Sequence, residues 1–240
     1  MNTIVYRTIS IKVVIIALTT LFSVNCLGQG EYLNLGIHGL GLGGSYVISE
    51  RSPVIGGCLG FSISGVLDFG FQAGGASFYE EDFGDDFKAK LIAPSIVVHL
   101  LKQTEIIPIS IAIGLHYAYY KYSGGVLQTY RCTMDASSLG CDVGLYRKFY
   151  VGGNSLIIPA VDIDYSLTKS TLKNELGTII NYRDERAKLL TFSFALSYAF
   201  SFPGYPLLYF TPQIAINNET TAFGIAIGIV IPFGMSAPSN

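Results

Sequence analysis

The sequence predicts an all-β fold, an antiparallel up-and-down transmembrane β-barrel of ten strands. Two observations support this prediction. Apolar residues alternate with small or polar ones along most of the chain, and a period of two places the two kinds on opposite faces of strands. Half of the residues are hydrophobic, yet beyond residue 28 no run reaches the roughly 18 apolar residues that a membrane helix needs. Because only helices and closed sheets satisfy every backbone group in lipid, a barrel is the remaining solution.

The chain opens with a predicted signal peptide, residues 1–28, and we assign residues 29–240 to the barrel. Arg7 and Lys12 form a short basic region, and residues 13–24 form a mainly apolar core. A retained N-terminal anchor is one alternative, although the core is short for a spanning helix. Lipidation of Cys26 is another, although Asn25 fits poorly the small residue that lipoprotein processing favours.

Alternation and turn residues together define the strands that follow. We expect them at residues 33–48, 54–63, 67–78, 88–101, 107–120, 139–149, 155–169, 187–202, 207–216 and 221–233. If the first or the last hairpin lay outside the barrel wall, eight strands would remain, which is the alternative. An even strand number, short turns at one end and longer loops at the other are typical of bacterial outer-membrane barrels. The predicted location is therefore the outer membrane of a Gram-negative cell.

The alternation also predicts which side chains face lipid and which face the lumen. On the fifth strand the expected lipid face is Ile107, Ile109, Ile111, Ile113, Leu115, Tyr117 and Tyr119, and the expected lumen face is Pro108, Ser110, Ala112, Gly114, His116 and Ala118. The eighth and tenth strands repeat this pattern. The chain has no Trp, so Tyr117, Tyr119 and Tyr122 are expected to anchor the outer boundary of the membrane.

The two ends of the mature chain resemble a known family. Residues 35–44 read LGIHGLGLGG, and the alternating terminal strand ends at Phe233. In these features the chain resembles the small outer-membrane β-barrel family of Bacteroidota, described as porin-like or PorT-like. The resemblance implies contact with the barrel assembly machinery during biogenesis and, for PorT-like members, an accessory role in protein secretion or gliding. The chain departs from the pattern by continuing past Phe233, from Gly234 to Asn240.

A polar cluster is expected inside the lumen. If the chain turns near Gly152, Asp142 lies opposite Asp162, with Asp164 one step further along and His116 on the neighbouring strand. Such a cluster is most simply a hydrated or hydrogen-bonded lumen, because inward polar residues are common in barrels. An acid/base site of an outer-membrane hydrolase, or a cation site, is the alternative. The sequence assigns no cofactor and no metal.

Two cysteines flank a polar segment. In an exported chain, Cys132 and Cys141 are expected to close a short loop with a disulfide. Without Arg7 and Lys12 the 15 basic residues fall to 13 against 17 acidic ones, a net charge near −4, so nothing indicates a nucleic-acid partner.

The function predicted from these features is non-enzymatic, a structural, binding or narrow-pore role. Outer-membrane lipid and the assembly machinery are the expected partners. Little or no conductance is expected, because Tyr146, Leu156 and Ile158 would fill the lumen near the periplasmic end. Any pore should favour cations, since inward aspartates outnumber inward Lys148.

Overall fold

A computed structural model describes residues 29–49, 53–80, 85–129, 131–174, 179–181, 187–201, 206–218 and 220–234. The predicted signal peptide lies outside the described residues. The described part is built from ten long strands, numbered here in chain order: β1 His38–Ser49, β2 Pro53–Ile63, β3 Leu67–Glu80, β4 Asp85–Leu101, β5 Ser110–Gly124, β6 Cys132–Tyr146, β7 Ser155–Asn174, β8 Ala187–Ser201, β9 Leu207–Asn217 and β10 Thr221–Phe233.

The ten strands form a closed antiparallel barrel, as the alternation predicts. Each strand pairs with its neighbours in the chain, and β10 pairs with β1 from His38 opposite Phe233 to Ser49 opposite Ala222. The terminal hairpins belong to the wall, so ten strands is confirmed over eight. Two short strands, Phe149–Val151 and Ile179–Asn181, add to the two ends of β7, and a one-turn helix, Gly125–Thr129, joins β5 to β6. Within the described residues no helix is long and apolar enough to cross a membrane.

The two faces of the wall follow the predicted alternation. On β5, Ile113, Leu115 and Tyr117 are 40%, 59% and 44% exposed, whereas Ser110 and Ala112 are buried. The same contrast holds on β8 and β10, where large apolar side chains point outward and small residues point inward. An exposed apolar outer face is the arrangement that lipid requires.

The strands extend beyond the apolar band at one end of the barrel, here called the distal end, which holds Ser49 and Gly124. Outward positions there change from apolar residues to Lys121, Asp135 and Lys169. The polar segment before residue 139 is therefore part of β6 and not a loop, because its strand leaves the membrane before it ends. Tyr122 points inward and is 3% exposed, so its prediction as an outer anchor is wrong.

The opposite end, here called the proximal end, holds His38, Phe233 and the start of the described chain. Strand β1 begins at His38 and not at residue 33, because residues 30–33 turn into the lumen and are all buried. We call residues 30–33 the plug. Tyr32 and Leu33 of the plug pack in an apolar cluster with Tyr146, Leu156 and Ile158, which confirms the prediction that these three residues fill this end.

The distal end is filled by a second apolar cluster. It contains Phe87, Leu91, Tyr120 and Tyr122 from the strands and Leu127 from the one-turn helix. Polar side chains occupy the height between the two clusters.

The predicted disulfide between Cys132 and Cys141 is wrong. Neither residue forms a disulfide. The two residues lie nine positions apart on the same strand, a separation of roughly 30 Å at about 3.3 Å per residue, whereas a disulfide needs Cα atoms within about 7 Å.

Candidate functional site

The plug is held by backbone hydrogen bonds to three buried charged side chains. The Gly30 N–H donates to Asp68 Oδ2 at 2.9 Å, and Lys148 Nζ donates to the Leu33 carbonyl at 2.7 Å. Lys102 Nζ donates to the carbonyls of Gly30 and Leu33. These contacts satisfy backbone groups of Gly30 and Leu33, in a chain segment that has no strand partner of its own.

An aromatic contact holds the centre of the plug. The Tyr32 ring stacks on Tyr209 with 4.8 Å between ring centroids, and its hydroxyl donates to Ser197 Oγ at 3.2 Å. Thr211 donates to the same Ser197 oxygen at 2.8 Å. Tyr32 therefore contacts the lumen faces of both β8 and β9.

The charged groups around the plug carry strongly shifted pKa values. Burial raises the pKa of the Glu31 carboxyl from 4.5 to about 7, an effect that the charge of Lys148 opposes. Burial lowers the pKa of Lys148 from 10.5 to about 7, and the nearby charge of Lys102 lowers it further. Burial lowers the pKa of Lys102 to about 8. These side chains lie in the plug and in the proximal turns, outside the membrane-spanning strands.

A hydrogen-bonded chain of Asp68, His99 and Tyr146 lies directly beneath the plug. His99 Nε2 is 2.9 Å from Asp68 Oδ2, and Tyr146 Oη is 2.8 Å from His99 Nδ1. If Asp68 is ionised it accepts from Nε2–H, so Nδ1 accepts from the tyrosine hydroxyl. These three residues were not predicted as a group from the sequence, although the alternation of β3, β4 and β6 places all three inward near the same end.

The lumen cluster is assembled from β5, β6 and β7. His116 Nδ1 lies 3.7 Å from Asp142 Oδ2, and His116 Nε2 lies 3.4 Å from Asp164 Oδ2. Asp142 pairs across the strands with Asp164 and not with Asp162, which stands opposite Gly144. The predicted register is thus wrong by two residues, because the chain between β6 and β7 is centred one residue later than the turn near Gly152 assumes. A shift of two keeps all four side chains on the lumen face.

Glycines on the adjacent strands make room for this cluster. A Cβ at Gly114 would overlap the carboxylate of Asp142, and a Cβ at Gly140 would overlap the ring of His116. At Gly144 a Cβ would lie 3.2 Å from Asp162 Oδ1. Asp142, His116 and Asp162 therefore each lie over a glycine of a neighbouring strand, which lets the groups converge within a narrow barrel.

The geometry defines what this cluster can do. An imidazole between two carboxylates can exchange protons or coordinate a cation. A hydrolase also needs a cleft that admits substrate, and the apolar clusters of the described residues fill the lumen on both sides of His116.

Comparisons with known proteins support the fold. No protein-family model and no curated protein matches the chain. Among solved structures, the translocator domain of the autotransporter NalP from Neisseria meningitidis is 10% identical, with a TM-score of 0.56, over 92% of this chain and 96% of that one. An outer membrane channel from Pseudomonas putida F1 is 11% identical, with a TM-score of 0.45, over 84% and 97% of the two chains. The outer membrane protease OmpT from Escherichia coli is 7% identical, with a TM-score of 0.40, over 82% and 95%.

At these identities the comparisons show the fold alone, and of these three structures the NalP domain, with a TM-score above 0.5, is the one that supports it. A closed ten-strand barrel with an apolar outer face is an outer-membrane architecture. The protein is therefore an outer-membrane protein.

Proposed function

We propose that the protein is a non-conducting outer-membrane barrel with a structural or binding role, and that it is not an enzyme. The plug is the observation that carries the proposal. Residues 30–33 fill the proximal end, which faces the periplasm in barrels with an even number of strands. A pore needs a continuous water-filled lumen. Here the plug and the distal apolar cluster interrupt it at two heights.

The hydrolase alternative is weaker on the same grounds. His116 has carboxylates beside it, but it lies between the two filled sections of the lumen. Asp68, His99 and Tyr146 form a suitable proton relay, but their side chains are buried beneath the plug. Both groups are better suited to holding the inside of the barrel together than to meeting a substrate.

The binding part of the proposal concerns the distal end. The strands continue there beyond the apolar band and carry outward charged residues such as Lys121 and Asp135. A rigid charged rim outside the membrane suits contact with lipid headgroups or with other molecules at the cell surface. Outer-membrane lipid and the assembly machinery are the partners we propose, and a role in secretion or gliding rests on the family resemblance alone.

Planar-bilayer recording tests the proposal. We expect no current steps from the wild-type protein under conditions in which a known porin conducts. A combined Tyr32→Ala and Leu33→Ala variant weakens only the proximal barrier, and any small current that it allows should prefer cations because of Asp142, Asp162 and Asp164. A large, stable conductance of the wild-type protein would overturn the closed-barrel proposal, and anion selectivity of that current would also contradict the inward position of the aspartates.

A further inference from the structure

The lumen cluster carries more negative than positive charge. The side chains of Asp142 and Asp164 are only 10% and 4% exposed, and each is paired with His116. A single imidazole carries at most one positive charge, so two ionised carboxylates leave a net negative charge. A buried charge of this kind needs a further cation or a proton.

Buried oxygens without hydrogen-bond partners indicate a bound ligand in the same place. Asp164 Oδ2 is buried and makes no hydrogen bond, since His116 Nε2 approaches it only to 3.4 Å. Ser166 Oγ and Thr191 Oγ1 are likewise buried without a hydrogen-bond partner. Thr191 stands opposite Asp164 on the adjacent strand, and Ser166 lies beside the His116 ring. Buried polar atoms are nearly always satisfied in native proteins, so three such oxygens in one patch indicate a polar occupant.

The spacing of the ligand atoms fits a metal ion. One ligand atom from each of His116, Asp142 and Asp164 can be chosen so that all three lie within 4.8 Å of one another. Tetrahedral zinc with bonds of about 2.0–2.1 Å needs ligand atoms about 3.4 Å apart. One ion binds only one imidazole nitrogen, and the two histidine–carboxylate separations involve different ones: 3.4 Å from Nε2 to Asp164 Oδ2 and 3.7 Å from Nδ1 to Asp142 Oδ2. Either pair by itself is close to the zinc value. The three ligand atoms within 4.8 Å of one another include only one of these nitrogens, so the aspartate that faces the other nitrogen must turn toward it.

We propose that His116, Asp142 and Asp164 bind a divalent transition-metal ion, with zinc as the reference ion. The mixture of one imidazole nitrogen with carboxylate oxygens selects this class. Calcium is a poorer match, because it takes six to eight oxygen ligands and no imidazole. The ion balances the charge of the cluster and links β5, β6 and β7 across the lumen. The proposal is independent of whether the barrel conducts.

Metal analysis of the untagged full-length protein tests this proposal. The protein is refolded into detergent with either zinc or a chelator, and its metal content is measured after gel filtration. We expect about one zinc per chain and a higher urea midpoint for the zinc-loaded sample. Replacement of zinc by cobalt should give visible absorption bands typical of a nitrogen- and oxygen-ligated ion.

Variants separate the site from adventitious binding. His116→Gln, Asp142→Asn and Asp164→Asn should each lower zinc affinity by roughly a hundredfold or more, since removing a group that only hydrogen-bonds to a metal ligand already costs about 10–100-fold. His38→Ala and Asp135→Asn are matched controls outside the cluster and should bind zinc normally. The proposal is overturned if the folded wild-type barrel takes up no zinc and shows no cobalt bands. It is also overturned if the three site variants retain wild-type affinity.

Discussion

Replacing Tyr32 with alanine should release the plug from the lumen. Tyr32 is 8% exposed, stacks on Tyr209, and donates its hydroxyl hydrogen bond to Ser197. Removing a buried aromatic ring costs about 3–5 kcal/mol. Ser197 and Thr211 remain hydrogen-bonded to each other, so the loss of the hydroxyl adds little. The population of undocked plug should rise between about a hundredfold and a few thousandfold.

Amide hydrogen exchange measures this change directly. The amides of Gly30, Leu33, Gly36 and Ile37 donate to Asp68, Gly30, Ser64 and Asn34, so a peptide covering residues 29–37 reports docking. Its protection should fall by the same factor in Tyr32→Ala, while β5 amides serve as the internal control for an intact barrel. Tyr32→Phe keeps the ring and should lose only about 1 kcal/mol.

Leu35→Ala is the matched control on the same segment. Leu35 is 59% exposed, so its removal should leave protection unchanged. If Tyr32→Ala exchanges as slowly as the wild type while its barrel remains folded, the ring does not hold the plug, and the reasoning fails.

Three further predictions follow from the described contacts. Between pH 4.5 and 7 the docked plug binds more protons than the free one, because the pKa of Glu31 is raised. The free energy of plug docking should therefore weaken by up to about 3 kcal/mol as pH rises. Glu31→Gln should abolish this trend in amide hydrogen exchange corrected for intrinsic rates. Above pH 7 docking should strengthen again, because the pKa values of Lys148 and Lys102 are depressed in the docked state, and Lys148→Met should remove the part of that rise that Lys148 supplies. Gly114→Ala should lower the free energy of unfolding in urea by about 1–3 kcal/mol, and adding Asp142→Ala should recover part of it; additive losses would contradict the predicted overlap. Leu115→Arg should cost about 2–4 kcal/mol in lipid, and a neutral result would contradict a lipid-facing position.

The faces of the strands were predictable because they depend on a local rule. A period of two assigns Leu115 outward and His116 inward without knowledge of any neighbour. The strand ends were less predictable, since a change to polar residues is the main sequence signal for the end of a strand. Residues 133–138 are polar because β6 has left the apolar band, and a polar strand in water resembles a loop.

The contents of the lumen were harder to predict than its walls. Residues 33–37 alternate as in a strand, but they lie outside the barrel wall. Their position depends on distant contacts, such as the hydrogen bond from Lys148 to Leu33, which is 115 positions away in the sequence. The meeting of His116 with Asp142 and Asp164 was largely predictable, because neighbouring strands connected by short segments have nearly fixed registers. Which aspartate stands opposite which depends on one residue in the connection, and that detail was wrong.

The glycines under the lumen cluster have a consequence for how this protein evolves. Gly114 and Asp142 share one volume, as do Gly140 and His116, so neither member of a pair can change freely while the other stays. In related sequences we expect these positions to covary: where position 142 becomes small, position 114 is released from glycine, and the same holds for 116 and 140. Lineages that lose the acidic and imidazole groups should therefore fill the two glycine positions as well, leaving a paired trace of the lost site in their sequences.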